Sequence, residues 1–299
     1  MTTWKVSVGR GFAIGFGLMS FVTLVTAALI GVAASRPIGL GTFIVGIAVT
    51  FGLVLAGLIA YWVYGLAGAS YKLDRNALII NWGTSKQVIP TGQIKRVLTG
   101  DEIEGRLRFY GGRWPGHWVG YGELAEEGAT LFYATQPLEE QIFVVTPGLA
   151  YAISPTEREA FLESLQQRLQ MGPTQAMEQT SMRPSVIDWA IWQDALGLVL
   201  LGVATLAFVL LLGVLTARFP RLPMLIPLRF RPSGSPDRLG PRSEIFLLPL
   251  ISFLALVING LLGGISYRRD RVASYMLWAS AILMQILIWT ATFGILSRI

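Results

Sequence analysis

The sequence contains no cysteine and a single histidine, His117. Disulfides, thiolate catalysis and cysteine-based metal sites are therefore excluded, and a zinc centre would have one imidazole to draw on. Charge is also scarce. Asp, Glu, Lys and Arg make up 14% of the 299 residues, where a soluble domain carries roughly one quarter. The shortage is concentrated in five gaps. Uncharged stretches of 25, 35, 23, 23 and 26 residues follow Arg10, Arg36, Asp194, Glu244 and Arg271 respectively. A helix needs roughly 20 apolar residues to cross the hydrocarbon, so each gap holds one span. The spans read as 11–34, 41–66, 194–216, 245–266 and 272–296. Lys5, Arg10 and the Val32-Ala33-Ala34 run imitate a secretory signal. The apolar stretch is too long for a signal of about 7–15 residues, and a second span follows at once, so the first segment is read as a membrane helix.

What charge there is divides unevenly. Lys72 to Asp194 holds 11 basic and 15 acidic residues, a balance of −4, which leaves +10 on the rest of a chain whose total is +6. A nucleic-acid partner calls for a basic stripe on the soluble part, and that part is mildly acidic, so no nucleic acid is expected. The arginines stand in short loops, where they anchor and orient helices. Glycine is frequent in the first two spans (Gly11, Gly15, Gly46, Gly52), and Gly11-x-x-x-Gly15 has the spacing of a close helix contact. Tyr61, Trp62 and Tyr64 end the second span as an aromatic belt.

The chain thus reads as a transmembrane hairpin over 1–68, a soluble domain over 69–172, a linker and interfacial segment over 173–193, and a three-helix membrane domain over 194–299. Short strands with turn chemistry between them predict a β-barrel or sandwich in the soluble part: Tyr71–Leu73, Ala77–Trp82, Lys86–Ile89, Ile103–Tyr110, Thr130–Ala134, Gln141–Val145 and Ala150–Ile153. Ser154 as N-cap, Pro155 at the first helical position and Glu157 predict a capping box. Phe161, Leu162, Leu165 and Leu169 follow at helical spacing, giving a terminal helix that covers the barrel. Gly111 to Gly122 carries too many glycines for a regular element and reads as a loop.

Candidate chemistry is thin. No Walker loop, dinucleotide fingerprint, nucleophile elbow or zinc-protease helix occurs, so no cofactor and no metal are expected. His117 lacks a second histidine or a cysteine with which to hold a metal. Asp101, Glu102, Glu104, Glu126 and Glu127 lack the spacing of a calcium loop and read as solvated turns. Trp114, Pro115, His117, Trp118 and Tyr121 place large rings on one loop. Two settings accommodate them: a tip that meets a partner or the lipid headgroups, or rings folded under the barrel. Asn259 and Gln285, the amides inside spans, suit interhelical hydrogen bonds, and without a mid-span charge a proton- or ion-coupled transporter lacks its usual carrier.

Two stretches resemble known families. Tyr71-x-Leu73-Asp74-x-x-x-Leu78-x-Ile80, Val88-Ile89-Pro90 with Ile94, Trp114-Pro115-Gly116, and the helix after Ser154-Pro155 resemble the bacterial pleckstrin-homology-like (PH) domain. That resemblance implies a seven-stranded, strongly bent barrel closed by the helix. Leu222-Pro223-x-x-Ile226-Pro227-x-Arg229-Phe230-x-x-x-Gly234-x-x-Asp237-Arg238-x-Gly240 resembles a small membrane domain of unknown function, also found in immunity proteins against a sporulation-delaying toxin. Arg229 and Leu239 stand where that family usually has histidine and tryptophan. The loop over 217–244, with Pro223, Pro227, Arg229, Phe230, Gly234 and Asp237, is its candidate functional segment.

The expectation that follows is a non-enzymatic multi-pass protein of the bacterial cell membrane. Its PH-like domain, on the cytoplasmic side, binds a protein or the membrane surface in a regulatory, sensory or immunity-like role. A small transporter or channel is the first alternative, and a membrane enzyme using His117 with the acidic residues the second. Lys5 and Arg10 precede the first span and only Arg36 follows it, which favours the N-terminus inside.

Overall fold

A computed structural model describes residues 1–103, 107–124, 128–175, 177–182, 190–230 and 236–299, with backbone alone at 228–230 and 236. The chain divides into two compact units, Met1–Thr26 with Phe51–Ile187, and Ala27–Thr50 with Asp188–Ile299. Among the described residues five helices are long and apolar enough to cross a membrane: Gly9–Ser35, Leu40–Ala67, Ala195–Arg221, Arg242–Ser266 and Arg271–Leu296.

In the first unit, strand β1 (Thr2–Lys5) precedes helix α1 (Gly9–Ser35), and helix α2 (Leu40–Ala67) leads into β2 (Ser70–Leu73). The small residues do what their size permits. Gly52 of α2 lies against the Thr26 side chain of α1, which any Cβ at 52 would strike. The strands continue as β3 (Ala77–Trp82), β4 (Ser85–Pro90), β5 (Arg96–Thr99), β6 (Arg108–Trp114), β7 (His117–Leu124), β8 (Gly128–Ala134), β9 (Ile142–Val145) and β10 (Ala150–Ile153). Helix α3 (Arg158–Met171) and strand β11 (Thr180–Met182) close the unit. One sheet runs β1-β2-β3-β4-β11 and the other β5-β9-β10-β8-β7-β6. Every pairing is antiparallel except that of β10 with β8.

The core lies between the sheets. Tyr71, Leu73, Leu78, Ile80 and Ile89 of the first sheet meet Ile142, Val144, Tyr151 and Ile153 of the second, and Phe161 and Leu165 of α3 close the end. The fully buried Tyr71 hydroxyl donates to the Tyr133 carbonyl at 2.5 Å and accepts from the Ser154 amide at 3.0 Å. Burial raises its pKa, because the ionised form would lose its hydration. Phe132 and Phe143, fully buried as well, point to the opposite face of the second sheet and form a satellite cluster with Trp118, Leu124 and Ala152. The two-residue period of a strand explains this: Leu131 and Tyr133 face one way, Phe132 the other.

Several expectations need correction. Of the strand expected over Ile103 to Tyr110, residues 104–106 lie outside the described residues, Ile103 and Leu107 are not in a strand, and β6 begins at Arg108; β5 lies upstream at Arg96–Thr99. The glycine-rich run is not a loop but the hairpin β6–β7, in register from Arg108↔Glu123 to Trp114↔His117. Its turn is Pro115-Gly116, with Gly116 at φ +87, the proline-then-glycine chemistry of a type II turn. Helix α3 starts at Arg158, and its N-cap Glu157 makes no side-chain cap bond. Ser154 is unavailable as a cap because its buried hydroxyl accepts from the Thr135 amide at 2.7 Å. The supposed linker is partly structured as well. Asn76 Oδ1 accepts from the Thr174 and Gln175 amides at 2.7 and 3.2 Å, and β11 pairs with β4. Arg183, Asp188 and Trp189 lie outside the described residues.

The second unit packs α4 (Ala195–Arg218), α5 (Leu247–Ser266) and α6 (Arg271–Leu296), with strands β12 (Leu225–Phe230) and β13 (Pro236–Pro241) between α4 and α5. Asp194 N-caps α4 through the Leu196 and Gly197 amides, and its other oxygen accepts from Tyr267 and Tyr275 at 2.7 and 2.6 Å. Trp278, fully buried, fits against Gly197 and Gly263, whose missing side chains admit the indole. The amides act between helices as expected: Gln285 bonds Ser252, and Asn259 Oδ1 accepts from Ser280 at 3.0 Å.

Leu165→Ala should lower hydrogen-exchange protection of β3 and β9 in the intact protein by about 2–5 kcal/mol, the cost of emptying a fully buried leucine site. Exposed Glu163→Ala should change it by less than about 0.5 kcal/mol. Unchanged protection in Leu165→Ala would show that α3 does not close the barrel.

Candidate functional site

The β6–β7 hairpin carries all five residues of the aromatic run, and the pleat sends them different ways. Trp114 is held by the first helix: its indole Nε1 donates to the Gly11 carbonyl at 3.0 Å. Gly11 and Gly116 approach so closely that a Cβ on either would collide with the backbone of the other, and Gly15 faces both Val63 and the Trp114 ring. The Gly11-x-x-x-Gly15 face therefore receives the hairpin tip as well as a helix. Trp118 points to the other face of the sheet, into the satellite cluster, with the Arg113 guanidinium 3.8 Å above its ring. Pro115 is exposed at the turn. Of the two settings open to these rings, Trp114 and Trp118 take the folded-under one.

His117 is fully buried. It stacks on Trp114 at 4.0 Å and sits 6.3 and 6.2 Å from Trp62 and Trp82. Neither ring nitrogen has a hydrogen-bond partner among the described residues. Burial pulls its pKa down from 6.5 to about 4, because a cation enclosed by indoles has neither water nor a counter-charge.

Beside this stack lies a cavity of about 240 Å³. Tyr61, Trp62 and Gly65 of α2 form one wall; Trp82, Gly83 and Ser85 of the β3–β4 turn a second; Gly111, Val119, Gly120, Tyr121, Leu131 and Tyr133 the rest. Among the described residues no Asp, Glu, Lys, Arg or His lines it. Gly111 and Gly120 face each other across the hairpin, and a Cβ on either would strike the opposing backbone. A wider hollow of about 650 Å³ lies near the turn, with Arg10, Arg113, Trp114 and Trp118 among its walls. On the open side, Tyr110 and Tyr121 pair directly across the hairpin and are 64% and 43% exposed. Strand β6 ends its sheet, with no second neighbour among the described residues.

The sequence singled out the rings of the hairpin but not their partners. Trp62 reads as membrane belt and Trp82 as a strand residue, and nothing local says that α2 and β3 present them to one histidine. The two-residue turn was legible in principle, since Pro-Gly lies between two stretches of bulky residues.

The remaining candidates are scattered. Glu102 is a cap: its carboxylate accepts from the Thr99 amide at 2.6 Å and hydroxyl at 3.1 Å, and the amide bond lowers its pKa most. Asp101 pairs with Arg158 at 3.5 Å. Glu104, Glu126 and Glu127 lie outside the described residues. Among the described residues no group of three His, Asp or Glu could hold a metal ion. In the second unit, the described part of 217–244, expected as a loop, holds the antiparallel strands β12 and β13 between 3₁₀ turns. Ile226 and Leu222 are buried with Phe219 and Ile245. Arg242 donates to the Leu222 carbonyl at 3.3 Å and lies 4.8 Å from the Phe219 ring. Pro223 precedes β12, Pro227 lies in it opposite Leu239, and Arg229 and Phe230 have their backbones in it. Asp237 is exposed on β13, and Gly234 lies outside the described residues.

The buried imidazole fixes a pH dependence. An unfolded histidine binds a proton below about 6.5, whereas the folded one stays neutral to about 4. The unfolded chain therefore holds the extra proton in that window, and stability falls as pH drops through it, by at most about 3 kcal/mol. Exchange protection in β7 and β8 should follow that fall, and His117→Phe should flatten it. An unchanged pH profile in His117→Phe would refute the neutral, sealed histidine.

Comparison with known families agrees with the geometry of both units. Residues 69–169 match the family model described as a bacterial PH domain, and residues 206–253 match the domain of unknown function DUF1648. No curated protein and no solved structure matches the chain. The protein is thus a multi-pass membrane protein in which a region similar to bacterial PH domains lies ahead of one similar to DUF1648.

Proposed function

We propose that this protein is a non-enzymatic membrane protein that uses its PH-like barrel to bind a protein partner at the cytoplasmic surface of the cell membrane. The observation that carries the reading is the exposed Tyr110–Tyr121 pair on an edge hairpin. Edge strands offer unpaired backbone donors and acceptors to an extended peptide, and tyrosine is enriched at protein interfaces because one ring contributes both apolar area and a hydroxyl. A catalytic role is disfavoured by the same hairpin: its histidine is sealed among indoles and finds no hydrogen-bond partner among the described residues. A regulatory, sensory or immunity-like role fits such a binding module.

The cytoplasmic assignment rests on the basic residues ahead of the first span. Strand β1 lies before that span and pairs with β2 after the second, so the N-terminus and the barrel share one side whichever side it is.

A photoreactive phenylalanine at Tyr110 should crosslink a discrete protein in native membranes, and Tyr121→Ala should weaken that adduct. Adducts with lipid alone, or none, would overturn the partner reading. The side of the membrane is tested separately, in a chain free of native cysteine. A cysteine at exposed Glu139 should resist an impermeant maleimide in intact cells, and one at Met224 should react. The reverse pattern would place the barrel outside the cytoplasm.

A further inference from the structure

The wider hollow at the tip of the β6–β7 hairpin, about 650 Å³, has two arginines in its walls. Arg10 comes from the first turn of α1 and Arg113 from β6. Both are exposed. Neither guanidinium makes a hydrogen bond or an ion pair among the described residues. Arg113 lies 3.8 Å above the Trp118 ring, a contact through the guanidinium face that leaves its N–H donors unused. Ser7 and half-buried Gln136 add a hydroxyl and an amide to the wall. Among the described residues no Asp or Glu lines the hollow. Two like charges that share one hollow repel each other, and an anion placed between them reverses the sign of that interaction.

The position of the hollow narrows the choice of anion. Arg10 stands in the first turn of a helix apolar enough to cross a membrane, and the uncharged run begins at Gly11. An arginine at that point lies at headgroup level. The hairpin tip is held at the same level. The Trp114 indole donates to the Gly11 carbonyl, and a Cβ on Gly116 would strike the Gly11 backbone. Lipid phosphates are the anions that concentrate there, and guanidinium forks match phosphate oxygens two at a time. The volume equals that of roughly twenty waters at about 30 Å³ each, which is more than a bare phosphate fills and suits a headgroup with its glycerol. The lining also separates headgroups by charge. A headgroup ammonium would find two arginines and no carboxylate among the described residues.

We infer that this hollow binds the phosphate of an anionic phospholipid, one without a cationic headgroup, between Arg10 and Arg113. Such a lipid neutralises both arginines and ties the first turn of α1 to the hairpin tip. Neither Tyr110 nor Tyr121 lines the hollow. Arg113 is three positions from Tyr110 in a regular ladder, so it faces the opposite side of the sheet, as Trp118 does. Loss of the lipid therefore leaves crosslinking at Tyr110 in place, and the two readings fail independently.

The test titrates the full chain in detergent micelles with phosphatidylglycerol, phosphatidylcholine and inorganic phosphate, and reads binding by native mass spectrometry. One phosphatidylglycerol should bind roughly tenfold more tightly than phosphatidylcholine, the worth of one charge-assisted hydrogen bond. Arg10→Gln combined with Arg113→Gln should abolish that preference. Arg268→Gln combined with Arg269→Gln removes the same charge from the exposed turn before α6 and should leave it intact. Where loss of Arg113 from the Trp118 ring disturbs the hairpin, Arg10→Gln alone carries the test and should weaken phosphatidylglycerol binding. Parent-like binding in Arg10→Gln, equal binding of the two lipids by the parent, or an equal loss in both paired variants would overturn the site. Displacement of the lipid by inorganic phosphate at equal concentration would overturn the lipid and make the ligand a free anion.

Discussion

The pairing of β1 with β2 governs the first unit. Thr2 to Lys5 lie before the first apolar helix and Ser70 to Leu73 after the second, yet they form one antiparallel ladder. The Val6–Pro155 bridge and the Thr156 amide, which donates to the Lys5 carbonyl at 3.0 Å, extend that tie to the foot of α3. A helical hairpin whose two ends belong to one sheet cannot swing as it would on a flexible linker. The beginning of α1 and the end of α2 are thereby fixed against the barrel, and the rest of the site is built on that.

The second consequence is the docking of the β6–β7 tip. Backbone approach between Gly11 and Gly116 needs both glycines, because each lacks the Cβ that would collide. It delivers Trp114 to the Gly11 carbonyl and lets Trp62, Trp82 and Trp114 enclose His117. A neutral imidazole whose two nitrogens find no partner among the described residues is an expensive core residue. It costs least at neutral pH and more as acid favours the unfolded, protonated chain. The cavity beside it has the same origin: rings too large to interdigitate surround a floor of glycines.

The second unit solves a different problem. Lipid supplies no hydrophobic drive between helices, so their association depends on close packing and hydrogen bonds. Asp194 caps one helix while accepting from two tyrosines, Trp278 fits where two glycines make room, and Gln285 bonds Ser252. The β12–β13 hairpin adds Ile226 to the apolar cluster at the end of α4.

The sequence alone determined the five apolar helices, because charge is unaffordable in hydrocarbon and its absence over 23 or more residues is visible in one dimension. It also determined a β-rich insertion closed by a helix, since Phe161 and Leu165 keep helical spacing and the strands carry turn residues between them. The tertiary structure decided what depends on distant partners. Ser154 is a good N-cap by type, but Thr135 nineteen residues upstream takes its hydroxyl. Thr2–Lys5 and Thr180–Met182 are too short and too polar to announce themselves as strands, and only the ladders offered by β2 and β4 make them so. The glycine-rich run reads as loop locally because glycine carries no strand propensity. It is a hairpin because the neighbouring strand β8 supplies the missing hydrogen bonds and α1 and α2 supply the surfaces against which only glycine fits.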